Sequence, residues 1–191
     1  MAKRKLVLSD ITDIKTSMNV LPVVTDDKKL IFTNHWVLGE VSTVIKEHAG
    51  KFQDVGRIDP IDFGGKKAEW NVIINLARKH DIDLSARINW ASVLIILDKI
   101  GFNKEIKESF LLSLMKYRYI NQDWSKLPYE CANFIKNYTL TIIRRSDKQF
   151  YFGQLCFNEN LLKMINDLGL QRDIFNNMIE ITKPPVNFIL V

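Results

Sequence analysis

The first polar-to-apolar change in the chain is Lys5-Leu6-Val7-Leu8, an aliphatic run stopped by Ser9 and Asp10. A short run of this kind between polar turn formers predicts a buried strand over 5–9. Leu30-Ile31-Phe32-Thr33 repeats the pattern after the polar stretch Thr25-Asp26-Asp27-Lys28-Lys29 and predicts a second strand. The period then changes. Val37, Val41, Val44 and Ile45 recur at helical spacing and predict a helix over 36–47, with Thr33 or Asn34 as its N-cap. From Gly50 to Lys67 no period survives, and Gly56, Pro60, Gly64 and Gly65 predict an exposed loop.

Three helical segments follow. KKAEWNVIINLARKH sets Trp70, Ile73, Ile74 and Ala77 on one side. SARINWASVLIILDKIGF begins at a possible cap, Ser85, and ends near Gly101, while NKEIKESFLLSLMKYRYI begins at Asn103 and aligns Ile106, Phe110 and Leu114. Such short connections favour antiparallel helix hairpins. Pro128 can start a further helix, PYECANFIKNY, after which TLTIIRR and QFYFGQLCF read as strands. NENLLKMINDLGL is a helix capped by Asn158 or Asn160 and closed by Gly169, RDIFNNMIE a shorter one, and VNFILV a terminal strand after Pro184-Pro185. The mixture predicts an α/β fold, with residues 1–120 as one domain and 121–191 as an α+β extension packed on the same core.

Composition narrows the class. The chain has 191 residues, 47% hydrophobic and 26% charged, which suits a folded globular protein and not a disordered one. No stretch reaches the ~18 apolar residues of a membrane span, so no membrane partner is expected. Cys131 and Cys156 lie in no CxxC pair, which argues against zinc and suits a reducing, cytoplasmic location. The net charge of +5 permits an anionic partner such as RNA without requiring one. Oligomeric state is not legible.

Four acids stand at the ends or starts of predicted elements: Asp10, Glu40, Glu69 and Asp83. Carboxylates converging on one point hold Mg²⁺ or Mn²⁺, and such ions activate water for phosphodiester cleavage. Here KLVLSDITDI resembles the opening strand of PIN-like nuclease domains, a run of aliphatic residues ending in an aspartate. LIFTNHWVLGEVSTVIKEH is similar to their second unit, with Glu40 as the inward acid, and KAEWNVIINLARKHDIDLSAR resembles the later segment that carries two further acids. The resemblance covers about residues 5–120. It implies a short parallel sheet with many helices, Asp10, Glu40, Glu69 and Asp83 as catalytic metal ligands, Mg or Mn as cofactor, and an RNA substrate. The chain departs from that pattern in KHDIDL, which leaves little room for the strand that precedes the fourth acid in the family. A second placement uses Glu130 and Asp147. Each acid also has an ordinary structural use: Asp10 and Asp13 as caps, Glu40 on a solvated helix face, Glu69 in a first helical turn.

Other chemistry is thinner. His35, His48 and His80 are scattered, no G-x-S-x-G elbow occurs, and Gly64-Gly65-Lys66 lacks the frame of a phosphate-binding P-loop. Lys66, Lys67, Arg78, Lys116, Arg118, Arg144 and Arg145 form local basic groups, with Tyr117, Tyr119, Phe150 and Tyr151 nearby. Cations mixed with aromatics can follow a single-stranded backbone and stack its bases. Two functions are therefore expected. One is a PIN-like metal-dependent ribonuclease or a degenerate relative, of the kind found in toxin-antitoxin systems. The other is a non-catalytic subunit that binds nucleic acid or protein in a larger defence or mobile-element assembly. Convergence of Asp10, Glu40 and one further acid would favour the first.

Overall fold

The structure, a computed structural model, describes residues 20–51, 59–117, 120–145 and 158–182, without the side chains of 144–145 and 178–182. The chain divides into two compact units, Met1–His80 and Asp81–Val191. The boundary expected near residue 120 falls inside the second unit. The expected strands 5–9, QFYFGQLCF and VNFILV lie outside the described residues.

The first unit is built on a hairpin that the hydrophobic pattern only half announced. Strand β1, Val20–Val24, pairs antiparallel with β2, Leu30–Asn34, from Val20↔Asn34 to Val24↔Leu30. Among the described residues the sheet is two-stranded and antiparallel, where a parallel sheet was expected, and the fold is mixed α/β and mostly helical. The reason is local. The Thr25–Lys29 turn closes on itself: Thr25 N–H donates to Lys29 O at 2.9 Å and Lys28 N–H to Thr25 O at 2.7 Å, with Lys28 at φ +55°. So tight a connection allows only antiparallel neighbours. Parallel pairing occurs in one isolated bridge, Val23↔Ile61, where Val24 N–H donates to Ile61 O at 2.8 Å and Ile61 N–H to Pro22 O at 3.0 Å. Pro22 therefore faces its missing N–H towards Ile61, and the hairpin ladder loses nothing.

Helix α1, His35–Gly39, starts where Asn34 Oδ1 accepts from Trp36 N–H at 2.9 Å. The expected single helix over 36–47 is two. The chain breaks at 40–42, and α2, Thr43–Lys51, restarts with Ser42 Oγ accepting from Ile45 N–H at 3.2 Å. Gly39 lowers the helical preference here, and the serine hydroxyl offers the backbone another partner. Helix α3, Lys67–Ala77, packs on α1 and buries Trp70 and Ile73, and Leu21, Leu38 and Ile45 are buried in the same unit.

The second unit is helical: α4 Trp90–Lys99, α5 Lys104–Lys116, α6 Tyr129–Arg145, α7 Glu159–Asp167 and α8 Gln171–Thr182. Asn89, Asn103 and Asn158 accept at the N-termini of α4, α5 and α7, and Gly101 and Gly169 turn the chain at φ +58° and +66°. Asn89, not Ser85, caps α4. Gln122 adds a distant cap: its Oε1 accepts from Trp90 N–H at 2.9 Å and Ala91 N–H at 3.3 Å, and its Nε2 donates to Ile88 O. TLTIIRR, expected as a strand, is the second half of α6. Its threonines bond back one turn, Thr139 to Ile135 O and Thr141 to Asn137 O, both at 2.8 Å. The face carrying Cys131, Ile135 and Thr139 is buried, and tertiary packing overrides β-propensity.

Lys107 joins three of these helices. It is 6% exposed, and its ammonium lies 2.8 Å from both Asp98 on α4 and Glu130 on α6. Burial pulls the ammonium down, but the two carboxylates outweigh it and leave its pKa raised above 10.5. The bond from Lys107 holds Glu130 below its usual 4.5. Lys107→Ala is expected to destabilise the protein by about 2–3 kcal/mol, towards the low end for a buried pair because both acids can rehydrate. Denaturant unfolding checks the value. Because the folded Glu130 pKa is depressed, its stabilisation is present above pH 4.5 and is lost as pH falls through the folded value. Lys107→Met should show less acid destabilisation in that window than the parent chain.

Candidate nucleic-acid interface

The Asp62–Lys67 loop is shaped by two glycines that take a conformation other residues avoid. Gly64 and Gly65 lie at φ +79° and +87°. Their backbone is grasped on several sides. Asp62 Oδ1 accepts from Gly64 N–H at 3.1 Å, and Trp70 Nε1–H donates to Gly64 O at 2.8 Å. Asp26 Oδ2 accepts from Gly65 N–H at 2.9 Å, while Asp26 N–H donates to Gly65 O at 2.9 Å. The hairpin turn and the entrance to α3 are clasped together in this way.

The clasp gathers charge. Lys28, exposed two residues past Asp26, is carried to the same end of the unit as Lys66 and Lys67, both exposed beside Gly65. The acids there are engaged. Asp27 lies 2.5 Å from Lys29 Nζ, and its carboxyl is held below 3.8 by that lysine and then by Thr25. Glu69, only 5% exposed, turns its Oε2 back to accept from Lys66 N–H at 2.8 Å. Arg78, also exposed, caps the other end of α3, ~16 Å away at 1.5 Å per residue.

The proposed metal ligands are placed as follows. Asp10 lies outside the described residues. Glu40 is exposed just after α1. Glu69 closes the first turn of its own helix. Asp83 belongs to the second unit, where Ser85 donates to its Oδ1 through Oγ at 2.5 Å and N–H at 2.9 Å; the hydroxyl first, then the amide, holds its carboxyl below 3.8. In the second placement, Glu130 pairs with Lys107 and Asp147 lies outside the described residues. Among the described residues, no three His, Cys, Asp or Glu side chains are placed to hold a metal ion.

Of the remaining candidates, Lys116 is exposed at the end of α5, Arg118 lies outside the described residues, and Arg144 and Arg145 close α6. Cys131 is buried, and desolvation pushes its thiol up to about 11, which leaves little thiolate for nucleophilic work. His48 Nε2 lies 2.9 Å from Asp59 O. His35 is buried with Nδ1 unpartnered among the described residues, as is the Thr33 hydroxyl.

Two clefts lie among the described residues of the second unit. One, of about 900 Å³, runs past Arg87, Ser92, Tyr117, Asn121 and Lys126, and the Gln122 cap forms part of its wall. The other, of about 630 Å³, lies between α5 and α6. The linear pattern marks neither cleft, and Lys28 sits in a polar turn that by itself carries no signal of an interface in the sequence. A double glycine before a helix was the available signal for Lys28, because it implied a close backbone approach.

No family model, curated protein or solved structure matches this chain.

Gly64 tests the clasp. A Cβ there would lie 3.3 Å from Asp26 Oδ1 at a φ that disfavours any side chain. Gly64→Ala should destabilise by about 1–2 kcal/mol. Gly50→Ala, in α2 with nothing within 4 Å of the added Cβ, should stabilise by about 0.5 kcal/mol. Thermal unfolding of the two variants should move in opposite directions.

Proposed function

We propose that this chain is a non-catalytic RNA-binding module, in which the PIN-like pattern of acids survives in sequence while the carboxylates serve local structure. The observation that carries the reading is the clasp. It ties the turn that carries Lys28 to the loop that leads into Lys66 and Lys67 at the entrance of α3, and the one acid in the first turn of that helix is turned inward as a cap.

The chemistry follows from charge. Exposed ammonium groups at the start of α3, with Arg78 at its end, offer a phosphate backbone separated contacts along one helix. Contacts of this type position a strand without reading its sequence, and each phosphate neutralised releases counterions. Glu69 keeps its charge but turns its Oε2 back onto the Lys66 amide. Glu40 and Asp83 stand on different units, and Asp83 already accepts two hydrogen bonds from Ser85.

Fluorescence anisotropy with labelled single-stranded RNA across a salt series tests the reading. Replacing Lys66 and Lys67 by Gln should weaken binding and flatten the log–log salt slope by about 1.4, two contacts at ~0.7 each on single strands. Unchanged affinity and slope would remove these lysines from the interface. Incubation of the same RNA with Mn²⁺ should leave it intact; cleavage that disappears in Asp10→Ala would replace the binding module with a metal-dependent ribonuclease.

A further inference from the structure

We infer that the α5–α6 cleft is a nucleobase-binding slot, an inference that rests on the nucleic-acid reading but concerns a separate site. Its α6 wall is built from residues one turn apart. Phe134 and Tyr138 set their rings nearly parallel, 10° between planes and 6.5 Å between centroids, and Asn133 and Asn137 stand beside them at the same spacing. Tyr129, 81% exposed, marks one end. The α5 wall brings Lys104, whose side chain is 78% exposed and only 3.8 Å from Glu108, a weak solvent-screened pair.

The chemistry of the wall selects the occupant. Flat aromatic faces stack any base, because every base has a π-face. An apolar peptide side chain would strip water from the neighbouring carboxamides and return no hydrogen bond, at a cost. A base edge replaces those hydrogen bonds while its ring stacks, as in single-strand recognition. The cleft's other ammonium, on Lys107, is held within the fold by Asp98 and Glu130. Lys104, by contrast, meets Glu108 only at 3.8 Å and is the exposed cation of the cleft for an attached phosphate, with Glu108 and Glu130 also in the lining. The volume of about 630 Å³ is in the range of small-ligand sites. The shared chemistry is a base bearing phosphate, from either a free nucleotide or a single strand.

The test uses the full chain with adenosine and uridine monophosphates, single-stranded RNA containing 4-thiouridine, and a duplex of the same sequence. Photocrosslinks of the single strand should map within 129–141. Tyr138→Ala should weaken single-strand binding by about tenfold, one lost stack, and Tyr138→Phe should restore it. The duplex, with its bases already stacked, should not compete for the crosslinks. Crosslinks mapping elsewhere, with binding lost in the Lys66/Lys67 double variant but unchanged in Tyr138→Ala, would overturn the slot and leave the RNA-binding reading standing. Mononucleotide binding that depends on Tyr138, without any RNA affinity, would support the slot for free nucleotides and overturn the RNA reading. Absence of binding by any of these probes would overturn both.

Discussion

The two hydrogen bonds between Asp26 and Gly65 join segments 39 residues apart and set the geometry of the first unit. One runs from a carboxylate to a backbone amide, the other from amide to carbonyl, so the turn and the loop are locked in a single register. The loop can approach so closely only because Gly64 and Gly65 adopt left-handed backbone conformations without a Cβ in the way. From that lock follow the position of Ile61 against β1, the docking of the Trp70 indole on the Gly64 carbonyl, and the start of α3. The cations at positions 28, 66 and 67 are placed by the same constraint, although none of them takes part in it.

Carboxylates carry much of the polar architecture. Asp26 clasps, Glu69 caps, Asp83 closes a turn, and Asp98 with Glu130 neutralises the buried Lys107. Asp167 accepts from the Trp124 amide at 3.0 Å and pairs with Lys163 one turn earlier. A carboxylate engaged by short local donors keeps its charge, but its lone pairs are aimed at those donors and not at a common centre.

Lys107 plays the corresponding part in the helical unit. An ammonium inside a bundle is tolerated only when its charge is met, and here it is met from two sides by separate helices. That requirement fixes where α4 and α6 stand relative to α5, and it shapes the cleft between α5 and α6. The aromatic wall of that cleft comes from the first half of α6, where Phe134 and Tyr138 stand one helical turn apart.

The periodic signals alone determined several elements. Helices α3, α5 and α7 were legible from their apolar spacing, α5 and α7 also from the Asn103 and Asn158 caps and α7 from its closing Gly169, because spacing and capping act over a few residues. Strand β2 and its turn were legible for the same reason. What only tertiary structure decided involves distant partners. Val20–Val24 became a strand because β2 and Ile61 flank it, and its Pro22 hid that role. TLTIIRR became helix because its buried face packs within the bundle, and the 36–47 segment broke where Ser42 took over capping. The candidate acids show the same division: their positions at element ends could be read directly, but whether their oxygens met one another or a nearby amide depended on the fold. A carboxylate binds whichever donor the folded chain brings within 3 Å, and that donor is a property of three-dimensional proximity that no linear spacing encodes.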